Sequence, residues 1–136
     1  MRLGFLTAPF PDTPLMEVAA WAGANGFESL EIACWPRSTD TARRYAGTSH
    51  IDVADLSDAR ATEIVDEIAS HGLAISGLGY YPNPMHPDPE VRDAMIAHQK
   101  LVIAAHEGVE GWASRSSTPS WAAMPRSTWT RTGRRH

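Results

Sequence analysis

Along residues 1–110, short apolar runs alternate with longer stretches whose apolar positions recur at helical spacing. RLGFLTA (2–8), closed by Pro9 and Pro11, has the length and saturation of a buried strand. Thr13 then stands where a helix cap belongs, with Pro14 at the first helical position. Leu15, Val18, Ala19 and Ala22 form an apolar stripe that ends near Asn25-Gly26. SLEIACW (29–35) predicts a second strand, followed by a polar loop from Pro36 to about Leu56. Ser57 precedes a helix in which Ala61, Ile64, Val65 and Ile68 share one face, and His71-Gly72 is a stop signal. AISGLGYY (74–81) predicts the third strand. Asp88-Pro89-Glu90 then supplies a capping carboxylate, a first-turn proline and an acid beside the helix dipole, opening a third helix through Val91, Ala94, Met95, Leu101 and Ala105.

Three strand–helix units in succession imply an α/β fold with parallel strands and right-handed crossovers. Two architectures use such units, the doubly wound sheet and the (β/α)8 barrel. A dinucleotide site would place G-x-G-x-x-G after the first strand, where this chain has APFPDTP. The GLG at Gly77–Gly79 lacks the third glycine and lies inside a strand, so it marks close backbone packing and nucleotide binding is disfavoured. A barrel gathers its chemistry at the C-terminal ends of the strands. Those ends carry Trp35 after the second strand and Tyr80, Tyr81, Asn83 and His86 after the third, which favours the barrel.

Composition adds a boundary. With 136 residues, 43% of them hydrophobic, one domain is expected. No run of about 18 apolar residues exists and MRLGFLTAPF lacks the apolar core of a secretory signal, so neither a membrane span nor export is expected. The single cysteine, Cys34, cannot form an intrachain disulfide, and no zinc-finger spacing occurs. The expected compartment is the cytoplasm. All 16 acidic residues lie at or before Glu110 against seven basic ones, a balance of −9, while the last 26 residues hold five arginines and no acid. Residues 111–136 also carry Trp112, Trp121 and Trp129 among Ser, Thr and Pro, with neither helical nor alternating periodicity. The domain is therefore expected to be 1–110, with 111–136 an irregular basic tail.

Four separated segments, RLGFLTAPFPD, GFESLEIACWP, RRYAGTSHIDV and ISGLGYYPNPMHPDPEVR, make residues 2–107 resemble the opening of sugar phosphate isomerase/epimerases of the xylose isomerase-like barrel superfamily, which includes the apurinic endonuclease-like proteins. The resemblance implies a (β/α)8 barrel that moves a proton between adjacent sugar carbons, with carboxylates as acid and base and a divalent metal (Mn, Mg, Zn or Co) polarising the substrate oxygens. A full barrel needs roughly 250 residues, so this chain holds the first three of its eight units and is an incomplete barrel. The metal ligands of the superfamily sit mostly on later strands, which implies that this chain binds no metal and is inactive by itself. Related apurinic endonuclease-like members carry a metal-binding histidine on the third strand; the nearest positions here, Ser76 to Gly79, cannot serve.

The resemblance also implies a fourth strand of the type VVNTF followed by glycines, which the tail does not contain as written. A slip of reading frame restores it. Shifted codons turn serine into an apolar residue, tryptophan into Leu, Met or Val, and alanine into Gly, Arg, Ser or Cys. SSTPSWAAM (116–124) then rereads as a strand followed by small residues, Trp112 to Pro125 can give GVEVVNTFVGGDA, and the residues after Arg126 can give DVDADW. The tail is thus expected to be an out-of-frame translation that begins between His106 and Trp112.

Candidate substrate contacts follow from both lines. Glu31 on the second strand can point into the barrel and accept a sugar hydroxyl, or serve as a structural acid. His50 in GTSHID can touch substrate, although an exposed loop histidine is the commoner case. His86 lies in a Pro-Met-His-Pro turn near the expected mouth, with Asn83 close in sequence. Trp35, Tyr80 and Tyr81 can stack on a sugar ring or simply pack. His71 and His98 are expected to face solvent, and Cys34 to be an unreactive core residue. The expected partner is a small sugar or sugar phosphate, with self-association through exposed sheet edges. Two other readings exist: a small sugar-binding or regulatory module, and a nucleic-acid binder using the Arg/Trp tail. The second is disfavoured because the tail is not amphipathic.

Overall fold

The computed structural model describes residues 2–37 and 47–116, with side chains described through residue 107. The elements run β1 (Gly4–Leu6), α1 (Leu15–Ala24), β2 (Ser29–Ala33), α2 (Asp58–Ser70), β3 (Ala74–Gly79) and α3 (Pro89–Ser116). The three strands form one parallel sheet in the order β1-β2-β3. The chain is thus α/β, as the alternation of apolar runs and helical stripes implies. Among the described residues no helix is long and apolar enough to cross a membrane.

Register sorts the side chains onto two faces. Phe5 pairs with Leu30 and Leu6 with Glu31; on the other side Leu30 pairs with Ile75, Ile32 with Leu78 and Ala33 with Gly79. A register shift between Leu30 and Glu31 passes over Ser76 and sets Glu31 opposite Gly77. Because side chains alternate along a strand, Leu30 and Ile32 face one way with Phe5, Ile75 and Leu78, and Glu31 faces the other with Leu6. The first set joins Leu15, Ala19, Ala22, Ile64, Ile68 and Val102 in the core beneath the helices. Burying such side chains is worth roughly 1.5–3 kcal/mol each, so this face supplies most of the cohesion.

Two of the three expected N-terminal caps are present, as is the expected glycine stop of α2. Ser57 caps α2 by accepting the Arg60 amide at 3.2 Å, and Gly72 leaves the helix with φ 76°, a conformation that favours glycine. Asp88 Oδ1 caps α3 through the Glu90 amide at 2.9 Å. At α1 the expectation fails: the helix starts at Leu15 with Pro14 as an extended cap residue and no side-chain cap bond. The Thr13 carbonyl is held instead by the His50 ring, 37 residues away.

Two further differences come from tertiary packing. The stretch expected to be a polar loop buries Thr48, Ile51 and Val53, the last two as part of the core. On α3 the buried seam contains Val102 with Ala105 packed beside it, while Leu101 is 44% exposed and Ala94 is exposed. Half-buried Val91, Met95 and His98 continue the seam at steps of three and four. His98 belongs to this seam although it is not apolar, which rotates the buried stripe from the one the apolar residues predict. Helix α3 also continues past Glu110 to Ser116, so the irregularity expected from residue 111 does not start there. Once formed, a helix gains one hydrogen bond for each residue added, which carries it past a change in composition. Residues 117–136, which hold most of the reread fourth strand, lie outside those described.

Candidate functional site

The C-terminal ends of the strands are tied together by the chain that follows β2. Cys34 donates its amide to the Gly79 carbonyl at 2.9 Å, continuing the β2–β3 pairing, and Trp35 donates to Thr48 at 3.2 Å. His50 in turn donates its amide to Ala33 at 2.9 Å, and the Thr48 hydroxyl donates to the Ala8 carbonyl at 2.8 Å. The segment from Thr48 to His50 therefore crosses the strand ends and makes a rim.

Within that rim His50 is a strut. Its Nε2 lies 3.2 Å from the Phe10 carbonyl and 3.0 Å from the Thr13 carbonyl, so Nε2 carries the proton and donates. Nδ1 is then the acceptor, and the Thr7 hydroxyl at 2.8 Å donates to it. Thr7 Oγ1 meanwhile accepts the Ala33 amide at 2.9 Å. Both ring nitrogens are committed inside the chain, so the ring is neither a loop histidine in solvent nor a group turned toward a ligand. It fixes the turn before α1 against the ends of β1 and β2.

Glu31 has a different setting. It sits mid-β2 on the face away from the helices, and the Tyr81 phenol donates to its Oε1 across 50 residues of sequence. Gly79 makes that position possible: a Cβ there would lie 3.1 Å from Glu31 Oε1 and 2.7 Å from Leu6 Cδ1. The close packing expected of the GLG segment is thus located at its last glycine. Hydrogen bonding to Glu31, then burial and the nearby negative charge, raise the Tyr81 phenol above its ordinary value. Tyr81 nonetheless remains 64% exposed.

The aromatic candidates adjoin this pair. The Trp35 ring lies 6.0 Å from Tyr81 and 5.9 Å from Tyr80, the latter nearly edge-on at 76°. Tyr80 meets the His98 ring at 4.7 Å, and His98 Nε2 donates to the Cys34 carbonyl at 2.7 Å. His98 is therefore half-buried and pins α3 to the rim, contrary to the expectation that it faces solvent. Cys34 is fully buried; desolvation pushes its thiol up to about 12, which agrees with an unreactive core residue.

Asn83 and His86 spend their bonds locally. Asn83 Oδ1 accepts the Met85 amide at 3.1 Å, and His86 Nδ1 accepts the Asp88 amide at 3.2 Å. They shape the turn leading into α3. The seven candidates thus divide into a contiguous group of Glu31, Trp35, Tyr80 and Tyr81, one strut, His50, and two turn-builders. The residues missed, Thr7, Thr48 and His98, left weak signals: polar letters set in an apolar strand, a loop and a helical seam.

A shallow groove of about 310 Å³ lies against α1, lined by Phe10, Thr13, Glu17, Val18 and Trp21, and shares no residue with the rim. Among the described residues no three His, Cys, Asp or Glu side chains converge as a metal requires, so these residues do not fit the divalent-metal centre that the resemblance implies. Comparison with protein-family models, curated proteins and solved structures finds no match to the chain.

Proposed function

We propose that the chain is the first three βα units of a (β/α)8 barrel of the sugar phosphate isomerase/epimerase kind, and that its rim is one wall of the substrate pocket. The observation that carries this reading is the parallel order β1-β2-β3 with Glu31, Trp35 and Tyr81 grouped on the sheet and its C-terminal rim. Barrel enzymes place their substrates at that end of the sheet. An apolar ring face beside a carboxylate and a phenol suits a polyhydroxylated ligand, whose C–H faces stack while its hydroxyls are bonded.

In this reading the proton transfer between adjacent carbons belongs to groups outside the described residues, and the metal would be held there as well. The contribution of this wall is binding and orientation. Glu31 accepts ligand hydroxyls, Tyr81 holds the carboxylate, and Trp35 shields one side of the ligand from water. Residues 111–136 are proposed to be an out-of-frame translation that begins between His106 and Trp112, and the 136-residue product to be inactive by itself.

The test is genetic and then enzymatic. Sequencing the source DNA and shifting the frame between His106 and Trp112 should yield a longer open frame. Its product should exchange a substrate carbon-bound proton with solvent in the presence of a divalent metal. A verified frame that encodes Trp112 to His136 as written, together with tight sugar phosphate binding by the chain itself, would replace this reading with a complete sugar-binding module.

A further inference from the structure

Among the three described strands Glu31 is the single carboxylate, and its environment on the open face restricts what it can accept. Gly79 and Gly77 both approach it without side chains; a Cβ on Gly77 would come 3.8 Å from Glu31 Cγ, and one on Gly79 would crowd the carboxylate itself. The β3 neighbours therefore leave room beside the carboxylate above the sheet, with Leu6 next to it on the β1 side. What occupies it is the Tyr81 phenol, bonded to Oε1. No second bond to a side-chain oxygen of Glu31 accompanies it among those the structure describes.

Tyr81 is a poor permanent partner for a structural carboxylate. Its side chain is largely in solvent, lies two residues beyond the end of β3, and touches Trp35 only at 6.0 Å between ring centroids. A contact held on one side only costs little to break, because the released phenol is hydrated at once. A carboxylate has two oxygens and about four acceptor directions. Two adjacent hydroxyls can use both oxygens, whereas the single phenol uses one.

Charge narrows the ligand further. Arg37 is paired with Asp52 at 3.7 Å, Arg60 with Glu63 at 2.9 Å and Arg92 with Asp93 at 3.6 Å. None of these three described cations is bonded to Glu31, whose own negative charge disfavours an anion placed beside it.

We infer that the Glu31–Tyr81 pair is a displaceable latch for a neutral vicinal diol: two adjacent hydroxyls of a polyol replace the phenol on the carboxylate, while the Trp35 ring lies beside the carbon chain. The hydroxylated end of a ligand occupies this corner and any phosphate lies away from it. The inference rests on reading the rim as a substrate wall, and it adds which end of the substrate the wall receives. Tyr81 is a positioning residue that competes with the ligand.

The 136-residue chain is titrated with D-glucitol and, separately, with inorganic phosphate, and the phenolate absorbance of Tyr81 is isolated by difference from Tyr81→Phe. Saturating glucitol should return the Tyr81 midpoint to the ordinary phenol value, with no such response to inorganic phosphate at equal concentration. Glu31→Gln should abolish both the raised midpoint and the glucitol response. Tyr81→Phe should bind glucitol about fivefold more tightly, the factor for removing a competing hydrogen bond. Weaker glucitol binding by Tyr81→Phe would make the phenol a direct contact and overturn the latch, as would an equal response to both ligands or none to either. Because none of these readouts needs proton transfer or metal, an inactive frame-corrected product would count against the barrel reading alone. An active product whose Tyr81 ignores glucitol would count against the latch alone.

Discussion

The two faces of β2 carry opposite work one residue apart. Leu30 and Ile32 are wholly shielded beneath the helices, whereas Glu31 between them lies on the open face with a partner that is itself in solvent. The register shift beside Glu31 and the missing side chain at Gly79 both spare the open face. Cohesion and recognition are thus separated by the two-residue period of the strand, and substitutions should sort by parity.

The largest expected effect concerns the open face as a whole. Parallel sheets are ordinarily covered on both sides, and here helices cover one while the strand edges at β1 and β3 are unpaired within the described sheet. We propose that the chain self-associates through those edges, sedimenting well above the 14.8 kDa of one copy. A sharp, reversible melt from a monodisperse monomer would contradict the asymmetry. Next comes Ile32→Ala, expected to cost about 2–5 kcal/mol in urea unfolding because it opens a cavity in the core. Glu31→Gln should leave the urea midpoint nearly unchanged, and equal losses from the two would erase the distinction between faces.

Smaller effects sharpen the same contrast. Gly79→Val adds a side chain where even a Cβ meets Leu6 Cδ1 at 2.7 Å, and should cost about 1–3 kcal/mol. It should also lower the Tyr81 midpoint by displacing the carboxylate. His50→Ala leaves the Thr7 hydroxyl and two carbonyls without their partner and should cost about 1–3 kcal/mol. Hydrogen exchange at the Phe10–Thr13 turn should accelerate before the rest of the chain does. Ser57→Ala, a plain loss of a helix cap, should cost about 1 kcal/mol and leave the rim untouched.

The smallest effect is a pH dependence. Glu31 raises the Tyr81 phenol in the folded chain, so the folded state holds that proton more tightly than the unfolded state. The stabilising contribution is fully present below the unfolded phenol value of about 10 and is lost as pH rises through the higher folded value. At this exposed position it should be slight. Urea midpoints followed upward from neutral pH should fall more steeply in the parent chain than in Tyr81→Phe.

How much of this was legible varies by residue. Ser57, Gly72, Asp88 and Pro89 announce helix ends through chemistry confined to one turn, and the structure uses all four as expected. The Thr13 cap reads equally well locally and fails, because the Thr13 carbonyl finds a partner in His50 from a distant segment. On α3 the letters Leu101 and Val102 are equivalent apolar choices; the bond from His98 to the Cys34 carbonyl accompanies the rotation that buries the valine. Glu31 could be named from its place within the second strand, and Trp35, Tyr80 and Tyr81 from theirs at strand ends. Their division from His50, Asn83 and His86 could not, because it depends on which polar atoms already have partners.

By itself the sequence determined the order of elements, their parallel α/β character, the identity of most buried positions and the change of composition after Glu110. Those follow from periodicity and short-range chemistry, which act within a few residues. The tertiary structure alone decided the β2–β3 register shift, the turning of His50 and His98 into internal struts, and the meeting of Tyr81 with Glu31. Each of these depends on groups many residues apart, whose hydrogen bonds are chosen only when the helices close over one side of the sheet and leave the other open.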